Sequence, residues 1–279
     1  MNSIKVAYQG EIGAYSEIAA ARIGTPVHFP SFAQVFKAIV EGLVDCGALP
    51  IENSLGGAIY ENYDLIFKHP VEIVAETFVC VEHCLMGLPG ASLETANQVL
   101  SHPQALAQCS KFLNEYPKIA IVPTYDTAGS AKMIKQSGEK DKLAIASENA
   151  AKFYGLEIIR RHIATHQDNF TRFLIVAKKG IDKKLLGIKL SEDKTSIVFA
   201  LQHETGSLFH ALSVFALRKI NLTKIESRPS GERPFEYLFY VDYLRPETKI
   251  ERRALDHLAE ISTLIETLGQ YGCIGERAY

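Results

Sequence analysis

DNFTRFLIVAKK, residues 168–179, is the stretch from which the rest of the chain is best read. Phe173, Leu174, Ile175, Val176 and Ala177 form a short apolar run closed by Lys178 and Lys179. Such a run suits a strand covered on both faces. At its mouth stand Thr171 and Arg172, behind Asp168 and Asn169. An arginine entering a core strand is costly unless its charge finds a partner. Two readings are open: a surface arginine snorkelling at a strand end, or an anion site.

Upstream, strands alternate with short helices. Residues 4–8 read as a strand, followed by the glycine-spaced turn and Ala-rich helix of GEIGAYSEIAAARIG. Ser31 reads as an N-cap, and Phe32, Val35, Phe36, Ile39, Val40 and Leu43 recur at helical spacing. Residues 46–51 form the next strand, with ENSLGG as the turn beyond it, and residues 71–81 give one or two more. The middle repeats the theme: Val99 before SHPQALAQCSKFL, residues 119–122 before TYDTAGSAKMI, residues 143–146 before SENAAKFYG. This alternation predicts an α/β domain with largely parallel sheets. The polar and small turns all follow strands, so they lie at the carboxyl ends, where open α/β sheets bind ligands.

The basic stretch KKGIDKKLLGIKLSEDK, residues 178–194, breaks the pattern and reads as a boundary. Beyond it, strands at 195–201, 222–225, 235–243 and 271–274 and helices at 207–219 and 251–268 spell βαββαβ, the ferredoxin-like split motif. The expected division is residues 1–180, a linker 181–194, and residues 195–279. One face and one edge of the small sheet are left for pairing, which predicts self-association.

Bulk properties exclude several classes. A chain of 279 residues suggests two domains or three lobes. Net charge is −2, which gives no footprint for nucleic acid or an anionic membrane. No apolar run is long enough to span a bilayer. MNSIKVAYQG enters strand-like residues without a signal-peptide core, so a cytosolic protein is expected. The cysteines, Cys46, Cys80, Cys84, Cys109 and Cys273, are odd in number and predict free thiols. Cys80, His83 and Cys84 lack a second ligand pair at zinc spacing, so no metal is expected.

Three turns share one physical character. Residues 10–13 and 53–57 offer backbone N–H groups with little side-chain cover, and residues 126–130 enter a helix whose N-terminus attracts anions. No Walker loop or full dinucleotide fingerprint is present, and no nucleophile elbow. With Thr171 and Arg172, these turns fit a cleft for a small organic anion bearing carboxylates. Ser101, His102 and Gln104 offer a hydroxyl, an imidazole and an amide to the same cleft, and Glu52 is a possible general acid. In the C-terminal part, Gly206, Ser207 and Leu208 start a helix, while Glu226, Ser227, Arg228 and Pro229 end a strand. Helix-end N–H groups and nearby charges suit a free amino acid.

YQGEIGAYSE, ALPIENSLGGAIYENYDL, LSHPQALAQC, YDTAGSA, AIASENAAKFYGL, DNFTRFLIV, GSLFHAL and KIESRPS together resemble the prephenate dehydratases that carry a C-terminal ACT regulatory domain. The first turn, Gly-Glu-Ile-Gly-Ala-Tyr-Ser, departs from the G-P-x-G-T-[FY]-[ST] of many bacterial members and looks like the arogenate dehydratase variant. The resemblance implies a two-lobed catalytic domain like a type II periplasmic binding protein, with the active site between the lobes. It implies loss of CO2 and hydroxide from prephenate to give phenylpyruvate, without metal or organic cofactor. Thr171 would polarise the departing hydroxyl, Arg172 would clamp a carboxylate, and Glu52, His102 or water would be the upstream proton donor. Asn53, Ser54, Ser101, Gln104, Thr127, Ala128, Asn169 and Phe173 would bind substrate. Phenylalanine would bind Gly206, Ser207 and Leu208 of one subunit against Glu226, Ser227, Arg228 and Pro229 of another, in a homodimer or homotetramer. No chorismate mutase segment precedes Ile4, so a monofunctional member is expected. Arogenate dehydratase is the alternative enzyme, and a non-catalytic amino-acid sensor the alternative of another class.

Overall fold

The computed structural model describes residues 3–188, 191–230 and 236–278. The first lobe opens with β1 (Lys5–Gln9), α1 (Tyr15–Ala21), β2 (Thr25–Phe29), α2 (Phe32–Val40), β3 (Cys46–Asn53), β4 (Gly57–Ala58), α3 (Tyr60–Lys68) and β5 (Val71–Cys80). The Ser31 hydroxyl accepts from Gln34 N, and α2 buries Val35, Phe36 and Ile39 as its periodicity requires. The chain then builds a second lobe from β6 (Cys84–Gly87), β7 (Gln98–Ser101), α4 (Pro103–Gln108), α5 (Ser110–Leu113), β8 (Ala120–Pro123), α6 (Thr127–Ser137), β9 (Lys142–Ala146), α7 (Glu148–Tyr154) and β10 (Glu157–Arg160). It returns to the first lobe as β11 (Phe170–Lys178), the strand from which the sequence was read.

β11 lies between β5 and β3, antiparallel to both, while β1 pairs in parallel with β2 and β3. In the second lobe, β7 is parallel to β8 and β9, and β6 is antiparallel to β9 and β10. Both sheets are therefore mixed rather than largely parallel. Apart from the two-residue β4, the strands that break the pattern, β5, β6, β10 and β11, are those that flank the crossings between lobes, where the chain arrives from outside the local βαβ order. Two lobes joined by two crossings form the binding-protein-like α/β architecture.

After a 3-10 turn at Lys183–Leu186, the C-terminal module comprises β12 (Lys194–Ala200), α8 (Ser207–Ala216), β13 (Leu222–Pro229), β14 (Tyr237–Leu244), α9 (Thr248–Ile261) and β15 (Leu264–Ile274). Its strand order, β13-β14-β12-β15, is that of a ferredoxin-like sheet. Two expectations change here. The last helix stops at Ile261, and the residues to Ile274 form one long strand, so Leu268 reaches the core from a strand and not from a helix. Residues 272–274 of β15 then pair in parallel with β5, so the module's sheet and the first lobe's sheet are continuous.

That continuity removes much of the surface expected to pair with a second copy. One face of the module's sheet packs on α8 and α9 through Phe199, Val241, Phe215 and Leu258. The other is covered within the chain: Val198, Leu238, Tyr240 and Tyr271 share a core with α2, α3 and the Leu174 and Val176 face of β11. Lys194, at the end of the supposed linker, is fully buried. Among the described residues, no helix is long and apolar enough to cross a membrane.

Candidate functional site

A cavity of ≈ 380 Å³ opens between the two lobes. The first lobe contributes Asn53 from β3 and Thr171 and Phe173 from β11; the second contributes His102, Gln104 and Gln108 around α4 and Asp126 and Thr127 at the start of α6.

Its wall is an amide network. Asn53 Nδ2 donates to Asn169 Oδ1 at 2.7 Å and to Thr171 Oγ1 at 3.0 Å. Asn53 Oδ1 accepts from Leu55 N at 3.1 Å, from Gly56 N at 2.8 Å, and from the Nε2 atoms of Gln104 and Gln108 at 3.4 Å. Gln108 Oε1 accepts from Asn169 Nδ2 at 3.1 Å and lies 2.8 Å from His83 Nε2. An amide oxygen can only accept, so Nε2 of His83 carries the proton. Burial lowers the pKa of His83 despite the Gln108 bond, which favours the neutral ring. Gly56 allows the close approach of the lobes: a Cβ there would lie 1.7 Å from Gln104 Nε2.

These bonds fix how Thr171 can act. Its oxygen is already an acceptor for Asn53, so its own proton is available to a group in the cavity. The residue is 8% exposed, enough for contact and too little for bulk hydration.

The expected site residues divide into groups. Asn53, Gln104, Thr127, Thr171 and Phe173 line the cavity, as does His102. Asn169 is fully buried behind them, within the amide network. Ser54 ties the 53–57 turn to β11, accepting from Phe170 N at 3.0 Å. Ser101 is turned toward β9 and donates to Ile145 O at 2.7 Å. Ala128 is packed in the core behind Thr127.

Arg172 and Glu52 must be moved out of the cleft. Successive strand residues face opposite sides of a sheet, so Arg172 cannot share the face of Thr171 and Phe173. Arg172 points toward the C-terminal module, where Nε donates to Glu76 at 2.8 Å, Nη1 to Asp242 at 2.5 Å and Nη2 to the Tyr271 hydroxyl at 3.0 Å. The partner that its burial demanded is protein, not ligand. Glu52, adjacent to Asn53, faces the same way and pairs with Lys224 of β13 at 3.0 Å. Neither can clamp or protonate a ligand in this cavity.

Sequence reading passed over Gln108, His83, Tyr15 and Asp126 as lining side chains. Gln108 was accessible from spacing alone, since it follows Gln104 by one helical turn and shares its face. His83 lies on the crossing between lobes, where no local periodicity reveals direction.

In the C-terminal module, Gly206 has φ +83 and caps α8 with no side-chain bond. Ser207 lines a hollow with Glu204, His210 and Glu260, and Leu208 is partly exposed. Glu226 lies 3.8 Å from Lys224, and Ser227 and Pro229 pair along β14. Arg228 donates to Asp64 on α3 at 2.9 Å and stacks over the Tyr60 ring, 4.6 Å from its centroid.

Comparison with known proteins agrees with this geometry. The family described as prephenate dehydratase matches residues 6–181. The Arabidopsis thaliana protein named arogenate dehydratase/prephenate dehydratase 2, chloroplastic, is 46% identical over 96% of this chain and 72% of its own length. The structure of prephenate dehydratase from Arthrobacter aurescens in complex with L-Phe superposes with a TM-score of 0.86, at 28% identity, over 97% of this chain and 90% of that one. A protein described as a quorum-quenching acylase, GqqA, also superposes at 0.86, with 33% identity over 96% of this chain and 98% of its own. The cytosolic expectation is overturned: Arabidopsis relatives at 46%, 43% and 41% identity are named as chloroplastic. Composition reports solubility, and solubility does not separate one aqueous compartment from another. The fold, the cleft and the family match converge: the chain belongs to the prephenate dehydratase family.

Proposed function

We propose that the interlobe cavity carries out decarboxylating dehydration of prephenate, giving phenylpyruvate, CO2 and water. The observation that carries this reading is the Thr171 hydroxyl, which lines the cavity and accepts from Asn53 at 3.0 Å, leaving its own proton free to be donated. The ring carboxylate leaves as CO2, and the electrons of that C–C bond pass through the diene to the opposite carbon. They expel hydroxide, which takes a proton to become water, and the ring becomes aromatic. The enzyme must hold the substrate and stabilise charge on the departing oxygen. Thr171 does so by donating a hydrogen bond; its hydroxyl is too weak an acid to give up its proton outright. The amides of Gln104 and Gln108 and the N–H groups at the start of α6 offer donors for carboxylates.

Acyl transfer, the activity in the description of GqqA, would call for a hydroxyl or thiol bonded to a base. Thr171 Oγ1 is instead partnered by an amide. Arogenate, which carries an ammonium where prephenate has a keto group, is a second substrate favoured by the acidic residue in the cavity, Asp126. Purified protein should release phenylpyruvate from prephenate or phenylalanine from arogenate; turnover of neither overturns the enzyme reading and revives the sensor.

The C-terminal module is read as an ACT domain that binds phenylalanine between chains, through residues 206–208 of one and 226–229 of another. Support comes from its strand order and from the L-Phe complex of the Arthrobacter relative. Leu208, Phe209 and Leu217 are exposed on or beside α8, which suits a homo-oligomer. The Arg228 contact with Asp64 and Tyr60 offers a path from this module to α3 and to Ile59 in the cavity. Arg228→Ala is expected to raise the phenylalanine concentration for half-inhibition by roughly tenfold or more. An inhibition curve matching wild type removes β13 from the site.

A further inference from the structure

The cavity holds very little positive charge for a site that takes a dianion. Among its lining residues there is no lysine or arginine, and Asp126 is the sole carboxylate. Three cations of the two lobes are engaged elsewhere. Lys132 is 2.9 Å from both Glu11 carboxylate oxygens, Arg22 donates to Thr77 and to Phe78 O at 2.7 Å, and Arg172 faces the other side of the sheet. His83 is held toward its neutral form by burial.

Asp126 is placed to act on a ligand. It stands at the start of α6 in the second lobe, across the cleft from β11 of the first lobe. Oδ1 accepts from Gly129 N at 2.6 Å and Oδ2 from Glu11 N at 3.2 Å. Each carboxylate oxygen has two lone-pair positions, so each retains capacity for a further donor. Gly10 leaves that approach open: it sits at φ +118, and a Cβ there would lie 3.4 Å from Oδ2. In a 1,4-substituted ring, the leaving hydroxyl and the three-carbon side chain lie at opposite ends. With the hydroxyl at Thr171 on one lobe, the side chain extends toward the other.

We infer that Asp126 is a specificity-determining residue, accepting a hydrogen bond from the side-chain ammonium of arogenate and so raising the site's preference for that second substrate relative to prephenate. The inference rests on the dehydratase reading. A carboxylate facing an ammonium makes a charge-assisted bond; facing a keto acid it offers like charge and no donor, so discrimination comes partly from repulsion.

The test is Asp126→Asn, which keeps the size and the helix-capping oxygen. Binding of arogenate and of prephenate is titrated separately, and kcat/KM is measured on both, with Asp126→Ser as a second capping variant and a thermal melt as the folding check. The arogenate-to-prephenate ratio, in affinity and in kcat/KM, should fall roughly 10- to 100-fold in both variants. An unchanged ratio, or equal losses on both compounds, overturns the assignment of Asp126. Discrimination lost in the titrations of a protein that turns over neither compound would uphold the assignment and overturn the dehydratase reading instead.

Discussion

Thr171→Ala should lower kcat by roughly a hundred- to a thousandfold, the cost of removing one well-placed donor to a developing oxyanion. Substrate affinity should change little, because the bond to the departing oxygen strengthens only as its charge develops. Thr171→Ser keeps the hydroxyl and the bond from Asn53, and should retain most of the activity. Thr171→Val keeps the shape without the proton and should match the alanine variant. Steady-state kinetics on all three, with affinity measured independently by titration, separates the donor role from packing. If valine proves as active as serine, Thr171 is a wall residue only.

Glu76→Ala should be among the most destabilising single changes in the chain. Glu76 is fully buried and its carboxylate is shared by Arg172 at 2.8 Å, Lys194 at 2.9 Å and Arg277 at 2.7 Å. Asp242 adds a second buried carboxylate, accepting from Arg172 Nη1 and from the Ser196 hydroxyl, each at 2.5 Å. Removing Glu76 takes one carboxylate from three clustered cations, with Asp242 left on Arg172 and Asp193 left on Arg277. Breaking a buried pair in this way costs about 3–5 kcal/mol, a Tm fall of roughly 6–20 °C for a chain of this size. The loss should extend to kcat, since Arg172 follows Thr171 directly in β11 and these ion pairs anchor it to the C-terminal module. A Tm within ~2 °C of wild type would show that the cluster contributes little.

The same cluster should leave a pH signature. Burial alone would raise the Glu76 carboxyl, but Arg172, Lys194 and Arg277 together hold it below the ordinary carboxylate range. Asp242 is likewise lowered against the effect of burial, by Arg172 and the Ser196 bond. A carboxyl whose folded pKa is depressed contributes stability above its unfolded pKa, lost as pH falls through the folded value. Urea midpoints of wild type should therefore drop as pH falls below ~4, and the drop should be shallower in Glu76→Gln. Parallel curves would exclude Glu76 as a source of the acid sensitivity.

Local pattern carried most of the architecture. The apolar run 173–177 is a central strand, covered on both sides by separate cores that contain Phe173 and Leu174 respectively. The βαββαβ order after residue 194 needed only strand and helix periods. It missed at the end, where Ile265 and Leu268 fit a helical stripe and a strand equally well. Pairing of β15 with both β12 and β5 settled that choice, and the pairing with β5 joins residues nearly two hundred positions apart.

The sequence by itself determined that Thr171 opens a buried strand, that polar turns gather at strand ends, and that Arg172 needs a partner. These follow from burial and backbone period, which act between near neighbours. Only the tertiary structure decided which partner. The two-residue period of β11 sends Thr171 into the cleft and Arg172 to the opposite face, and which face meets a ligand depends on what the rest of the chain packs there. Asp242, Glu76 and Tyr271 arrive at that face from three other strands, so the arginine that resembled an anion clamp is an internal ion pair.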